Sequence, residues 1–468
     1  MKTQDYMDKL FYPKSIAYIG ATSRRIWNIM GVLERGYKGD IYLVSEKDEE
    51  ILGMKCYHSI YDLPDNIDLA IIAITKSKVK DVIKQCIEKK FYTLHIFSAG
   101  LGEYDDAGIE LEEELHEMLK NSDTRAIGPN CMGVYSTGGK ISYHPNFSKK
   151  ICKSGCVAFV SHSGDLTSRY VTDCNYYGMP FSTAASIGNT ISLKFSDFIE
   201  YFGSDEKTAI VSGYFEGFSQ FRDLEGRELL RVLKNNKKPT LILRGGVTER
   251  GAKTASSHTG SISSNSNIWD SVIAQTGTLK MNTYEELIDS TIAFYYCKDV
   301  YPEVNSLILI TWSGGTAALG VDQTLKLGVD IPEIQEPAKS EMEYMISICC
   351  VANPLDLPWI GHEQKYPEIC KIAIKEPYIG GVIIEVFAPR EFDDHHMMHH
   401  NNIMKIYNYT REAKKPFLIS LPHTRGIQRE KYKDILIKDK IPVFPSVKRA
   451  ARAFSNLYKY KISRSLLD

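Results

Sequence analysis

At 468 residues the chain is too long for one hydrophobic core, so two to four domains are expected. Hydrophobic residues at 43% and charged residues at 25% place it among ordinary soluble globular proteins. A formal net charge of -1 gives no reason for a nucleic-acid or anionic-membrane partner, and no apolar run reaches membrane-spanning length. The start of the chain has no apolar signal core, and its ten cysteines are scattered without a CxxC pair. Reduced thiols in the cytoplasm are the expectation.

The first segment, within residues 1–137, alternates short apolar strands with helical stretches. Ser15-Ile-Ala-Tyr-Ile-Gly20 reads as a strand ending in glycine, and Ile41 to Val44, Ile67 to Ile74 and Tyr92 to Phe97 read as three more. Near-continuous apolar strands of this kind imply a parallel, doubly wound sheet with right-handed crossovers. Ligands on such sheets sit at the carboxyl ends of the strands. There the chain places Gly20, Ala21, Ser23 and Arg24, then Ser98, Ala99 and Gly100. The GxGxxG fingerprint is missing after the first strand, which argues against a nicotinamide dehydrogenase. Ser23, Arg24 and Arg25 instead suit the phosphates of a nucleotide-like ligand, arginine being fitted to bidentate phosphate contact. A solvated loop with surface arginines is the alternative. The segment closes on Ile127-Gly-Pro-Asn-Cys-Met-Gly-Val134, a turn that presents Asn130.

The second segment, residues 138–298, repeats the pattern with strands at Gly155 to Val160, Ser182 to Ile187, Ala209 to Phe215 and Thr240 to Leu243. After the first of these comes Ser161-His-Ser-Gly-Asp-Leu-Thr167. A strand, then Ser-x-Ser-Gly, then a helix makes a phosphate cradle from Ser161, Ser163 and Gly164, although a serine N-cap gives the same residues. Glu216 follows the third strand. A Ser/Thr-rich loop after the fourth carries Thr254-Ala-Ser-Ser-His-Thr-Gly-Ser-Ile262. Small neighbours, Ser257 and Gly260 among them, let a bulky anion approach His258. Neutral imidazole is a good nucleophile toward phosphorus or acyl carbon. Such a histidine needs an acceptor on its other nitrogen, and Glu216 is the carboxylate best placed to supply it.

The third segment, residues 299–468, runs Ser306-Leu-Ile-Leu-Ile310 into the turn Thr311-Trp-Ser-Gly-Gly-Thr-Ala317. Further strands are expected at Gly381 to Phe387, Phe417 to Leu421 and Ile441 to Phe444, with a last helix from Val447 to Ile462. His395, His396, His399 and His400 have helical zinc-ligand spacing if that stretch is a helix. A polar exposed helix is the blander reading, and no functional metal is expected.

Taken together, Ile19-Gly-Ala21, Ile127-Gly-Pro-Asn-Cys-Met-Gly133, Val160-Ser-His-Ser-Gly164, Ser186-Ile-Gly-Asn189, Glu216-Gly217 and Ala255-Ser-Ser-His-Thr-Gly-Ser261 resemble the α subunit of nucleoside-diphosphate-forming acyl-CoA synthetases. ADP-forming acetyl-CoA synthetase is the nearer relative and succinyl-CoA synthetase the more distant. The resemblance implies a Rossmann-like CoA-binding domain followed by two flavodoxin-like doubly wound domains. It implies phosphorylation of His258, orientation by Glu216, and CoA at Gly20, Ala21, Ser23, Arg24, Ser98, Ala99, Gly100 and Asn130.

No ATP-grasp module or Walker motif is recognisable. The resemblance therefore implies a separate ATP-grasp β subunit, in an α2β2 heterotetramer, that holds ADP or ATP with Mg2+, and a small carboxylic acid as substrate. The chain departs from the family at Ser23-Arg-Arg-Ile-Trp-Asn28, at Leu43-Val-Ser-Glu46 and at Asp165. A carbamoyl or acyl transferase on the same scaffold, and a CoA-binding regulatory protein, are the alternative readings.

Overall fold

The computed structural model describes residues 1–24, 26–142, 155–259, 266–345, 351–357, 364–392, 394–424 and 426–467, with side chains described except at 255–259, 266, 267 and 394–396. These form two compact units, Met1–Asn282 and Thr283–Asp468.

The first unit holds two sheets. The N-terminal one comprises β1 (Ser15–Ile19), β2 (Asp40–Val44), β3 (Glu50–Ile51), β4 (Met54–Tyr57), β5 (Leu69–Ile72), β6 (Thr93–Ile96) and β7 (Arg125–Ile127). Their order is β3-β4-β2-β1-β5-β6-β7, parallel throughout except at the short β3–β4 pair. The direction of winding reverses at β1, between β2 and β5, which is the switch point where doubly wound sheets take ligands. β5 and β6 are buried along their whole length, as strands covered on both faces must be.

The other sheet comprises β8 (Gly133–Ser136), β9 (Val157–Ser161), β10 (Phe181–Ser186), β11 (Ile210–Phe215), β12 (Thr240–Arg244) and β13 (Leu279–Met281), in the order β13-β12-β11-β9-β10-β8. Only β8 runs antiparallel, along β10. Leaving the first sheet through the Gly128–Met132 turn, the chain thus becomes the edge strand of the next. One apolar core lies between the sheets. In it Phe11 of the N-terminal helix Thr3–Phe11 meets Phe198, Tyr201 and Phe202 at centroid distances of 6.1, 5.6 and 5.9 Å.

The second unit is built on β14 (Leu307–Thr311), β15 (Leu355–Asp356), β16 (Gly381–Glu385), β17 (Phe417–Ser420) and β18 (Val443–Phe444). All its pairs are parallel, in the order β15-β14-β16-β17-β18. Helix Tyr284–Tyr296, which lies before the segment boundary expected at residue 298, packs here on the C-terminal helix Val447–Ser465. Arg449 Nε and Nη2 grip Asp289 at 2.6 and 2.7 Å, and Asn456 Nδ2 donates to Ser290 Oγ at 2.9 Å.

Among the described residues no helix is long and apolar enough to cross a membrane. The histidines read as a possible metal site fall on helix Asp394–Glu412. His399 packs edge-on against Trp312, and His400 Nε2 meets Asp439 Oδ2 at 2.9 Å. The side chains of His395 and His396 lie outside the described residues.

Candidate functional site

Register across the second sheet sets the level of the site. Ser161 pairs with both Ser186 and Tyr214, and Phe215 pairs with Arg244. The segments Ser161–Ser163, Ile187–Thr190, Glu216–Gly217 and Gly245–Gly246 therefore leave one edge side by side.

At the centre, β9 gives way to helix Gly164–Tyr176 with Ser163 as N-cap, its side chain accepting from Leu166 N at 3.3 Å. Ser161 Oγ donates to Ser163 O at 2.9 Å and accepts from Ser163 N at 3.0 Å. The serines thus stiffen the turn themselves, and the helix start keeps its partial positive charge at the sheet edge. A Cβ at Gly164 would stand 2.1 Å from Met132 Cγ, so this turn is packed directly against the connection from the first sheet.

Glu216 is half-buried at the end of β11, with its Oε2 sealed from solvent. Two residues earlier and on the same face, the Tyr214 phenol lies beside the Glu216 side chain across Gly245, and burial together with the Glu216 charge raises its pKa. The backbone N–H of Glu216 donates to Nδ1 of His162 at 3.4 Å. His162 lies flat on Phe195 and edge-on to Phe215, at 5.8 and 5.4 Å, and burial pulls its pKa down to about 4. It is neutral at physiological pH, with its ring proton on Nε2 when Nδ1 accepts. Phe215, on the opposite face from Glu216, is fully buried and stacks on Trp269 at 5.4 Å. Burying such a side chain contributes about 2–3 kcal/mol and locks the end of the strand.

After β12 the sequence led us to expect a Ser/Thr-rich loop. The backbone instead forms helix Glu249–Thr259, which includes His258 in its last turn. Ala252, Lys253 and Ala255 supply helix propensity that the serines and threonines mask. The side chains of Ser257 and His258, and all of Gly260, fall outside the described residues.

The first sheet's edge continues toward this cradle. Gly20 has φ +87°, and a Cβ there would lie 2.5 Å from Ala73 O, so only glycine fits the turn. The amides of Gly20 and Ala21 both donate to Val44 O, at 3.1 and 3.0 Å, and so are engaged within the fold. Ser23 is similarly tied to Asp48, Oγ to Oδ1 at 3.0 Å, while Arg24 is exposed. Ser98 Oγ donates to Ile74 O at 2.7 Å, and Asn130 N donates to Ser98 O at 2.9 Å. Ala99 is exposed beside Gly100, whose N–H donates to Glu103 Oε1 at 2.6 Å.

Where Gly20, Ala21, Trp27, Asn28 and Phe97 come together, a cavity of about 250 Å³ opens at the switch point. From Gly20 a run of contacts passes through Ala73, Ile74, Ser98, Asn130 and Met132 to Gly164. Gly20, Ser98 and Asn130 beside the first sheet and Gly164 beside the second thereby border one continuous edge.

Sequence reasoning quoted Asn189 within a motif but missed its partners there. Asn189 Nδ2 bridges Glu103 Oε2 at 2.9 Å and Glu112 Oε1 at 2.6 Å. Glu112 is buried, and desolvation raises its pKa to about 7, against the hydrogen bonds from Asn189 and Gly102. Neither glutamate lies in a motif that spacing would flag. Tyr214 and His162 were closer to reach, one sharing a strand face with Glu216 and the other sitting inside the Ser161–Asp165 turn.

Comparison with known proteins gives a consistent picture. Residues 14–137 match a CoA binding domain, and residues 154–294 match the succinyl-CoA ligase like flavodoxin domain. The subunit alpha of acetate–CoA ligase (ADP-forming) II from Pyrococcus furiosus is 29% identical over 456 residues, covering 96% of both chains. The 4-hydroxybutyrate–CoA ligase (ADP-forming) of Nitrosopumilus maritimus is 31% identical over 378 residues, 79% of this chain, which spans 53% of that protein. The acetate–CoA ligase (ADP-forming) of Methanocaldococcus jannaschii is 30% identical over 98% of this chain, which spans 64% of its length. A solved structure of the dinucleotide forming acetyl-coenzyme A synthetase 1 of Ca. Korarchaeum cryptofilum, in complex with phosphate and ADP, superimposes with a TM-score of 0.84 at 26% identity, covering 99% of this chain and 98% of that one.

Proposed function

The chain belongs to the family of ADP-forming acyl-CoA synthetases, and on that premise we propose that it is the α-type component of such an enzyme. The reaction is acid + CoA + ATP interconverting with acyl-CoA + ADP + phosphate. In the ATP-forming direction phosphate attacks the thioester carbonyl, CoA leaves as thiol, and acyl phosphate remains. An imidazole nitrogen of His258 then attacks phosphorus, the acid leaves as carboxylate, and the phosphoramidate passes its phosphoryl group to ADP. Covalent capture conserves the thioester's free energy between two separate sites.

CoA lies along the carboxyl edge of the first sheet, its phosphates toward Arg24 and its thiol running past Ser98 and Asn130 toward Ser163. The N-terminus of helix Gly164–Tyr176 steadies the phosphoryl oxygens, and Glu216 accepts the N–H of the imidazole nitrogen that does not attack. A partner of the ATP-grasp type, in an α2β2 assembly, binds ADP or ATP with Mg2+.

The observation that carries the reading is that the Ser161–Gly164 helix start and Glu216 border one edge, beside the strand that leads into the His258 helix. A regulatory protein that had lost the cycle has no need to keep His258 and Glu216. The test is to incubate the chain and its ATP-grasp partner with γ-labelled ATP. An acid-labile, base-stable phosphoprotein is expected, and His258→Asn should abolish both label and turnover. Full labelling of His258→Asn would overturn the phosphohistidine mechanism.

A further inference from the structure

A glutamate that orients a histidine has three rotatable bonds and two equivalent oxygens, so its position has to be imposed from outside. Two neighbours do this for Glu216, one on its backbone and one on its side chain. Nδ1 of His162 receives the backbone N–H at 3.4 Å, and His162 is itself held between Phe195 and Phe215.

The side chain is met by Tyr214. β11 alternates, so Tyr214 and Glu216 share the face away from Phe215, Phe195 and Trp269. Their proximity can be read at Gly245 in the neighbouring turn. A Cβ there would lie 2.4 Å from Tyr214 Oη and 3.4 Å from Glu216 Cγ, so the phenol and the Glu216 side chain flank a single point. A side chain at residue 245 would displace the phenol, and glycine leaves it room.

We propose that Tyr214 is a positioning residue: its hydroxyl donates to one oxygen of Glu216 and leaves the other aimed at the histidine to be phosphorylated. This inference rests on the phosphohistidine reading above. The chemistry suits the task. A buried carboxylate tends to take up a proton, whereas a hydrogen bond donated to its charged form opposes that. Burial and the adjacent Glu216 both raise the pKa of Tyr214, so the phenol stays protonated and remains a donor at every working pH. Burial keeps His162 neutral, hence an acceptor. Both contacts are therefore constant while His258 changes charge during transfer. When the histidine is away at the second half-reaction, Tyr214 still holds the carboxylate in place for its return.

Tyr214→Phe keeps the ring and removes the donor. In the complex with its ATP-grasp partner it should slow phosphohistidine formation by about 10- to 100-fold, the worth of a hydrogen bond to a charged group. The KM values for ADP and CoA should stay unchanged. The acid limb of the kcat–pH profile should move to higher pH, because the unsupported carboxylate ionises less readily.

A double-mutant cycle isolates the route. If Tyr214 acts through Glu216, Tyr214→Phe added to Glu216→Gln should slow transfer no further. A full additional loss in that background would overturn the inference, as would a Tyr214→Phe enzyme with native rate and pH profile or with lowered thermal stability alone. Gly245→Ala supplies a second variant that displaces the phenol from the other side. It should lose more activity in the native background than beside Tyr214→Phe, and equal losses in both would likewise count against the proposal. Should His258→Asn keep its label, the underlying reading falls and this inference falls with it. Abolished label combined with additive losses removes the inference alone.

Discussion

Glu112 shows how far a single side chain can depart from what its letter in the sequence conveys. It sits on an amphipathic helix, Asp106–Lys120, among five other acidic residues, and composition reads it as one more solvated carboxylate. The fold turns it inward, 2% exposed, onto Asn189 Nδ2 and against Gly102. Desolvation raises its pKa from 4.5 to about 7, helped by Glu103 and opposed by Lys76. An acid whose folded pKa is raised contributes stability that is fully present below about pH 4.5 and is lost as pH rises through about 7. The loss amounts to at most about 3 kcal/mol. Glu112→Gln keeps the acceptor for Asn189 but cannot ionise. It should flatten the Tm–pH profile of the first unit between pH 4.5 and 7 and raise Tm above pH 7, as differential scanning calorimetry would show. A variant that retains the native slope would assign that slope to another group.

At the scale of elements, most of the frame was legible in the sequence. Runs such as Leu69–Ile72 and the first four residues of Leu307–Thr311 are apolar throughout, as strands covered on both sides must be, and their spacing marks out the crossovers. The glycine-rich turns at Gly20 and Ser161 to Gly164 fell where local chemistry requires them. What escaped was set by partners distant in sequence. β8 follows a turn motif so closely that only its pairing with β10 makes it a strand. Helix Glu249–Thr259 read as a loop because serine and threonine favour caps and turns locally. The link from Asn189 to Glu103 and Glu112 joins positions 86 and 77 residues away, beyond the reach of any pattern.

The turn after β10 tests this argument. Gly188 has φ +56°, and a Cβ there would fall 2.1 Å from Pro129 O and 2.8 Å from Asn130 O. Gly100 also has positive φ, +84°, yet nothing lies within 4 Å of its would-be Cβ. Gly100→Ala should therefore cost only the conformational term, roughly 1 kcal/mol. Gly188→Ala must also push two backbone carbonyls apart and should cost roughly 2–4 kcal/mol. Thermal denaturation of the two variants side by side checks the order. Equal losses would mean that the Pro129–Asn130 turn yields freely, contrary to its packed place between the two sheets.

At the scale of the molecule, the described strands are used up by three doubly wound sheets, the first two parallel but for a short edge pairing and the third parallel throughout. Such sheets offer their ligands a line of turns at the carboxyl ends of the strands. In the first unit that line is divided between the proposed CoA path at Gly20, Ser98 and Asn130 and the cradle at Ser161 to Gly164. In the proposed division the nucleoside diphosphate and its metal are held by a partner. A phosphohistidine is suited to that division of labour, because its N–P bond lets one side chain carry a phosphoryl group from the CoA site to a nucleotide held elsewhere. The purified chain should accordingly form no thioester from ATP, CoA and any of a panel of carboxylic acids, assayed by release of ADP and appearance of acyl-CoA. Adding an ATP-grasp chain should restore turnover in proportion to complex formed, saturating at one copy of each chain. Robust synthesis by the 468-residue chain alone would refute the division and require a nucleotide site among the three sheets.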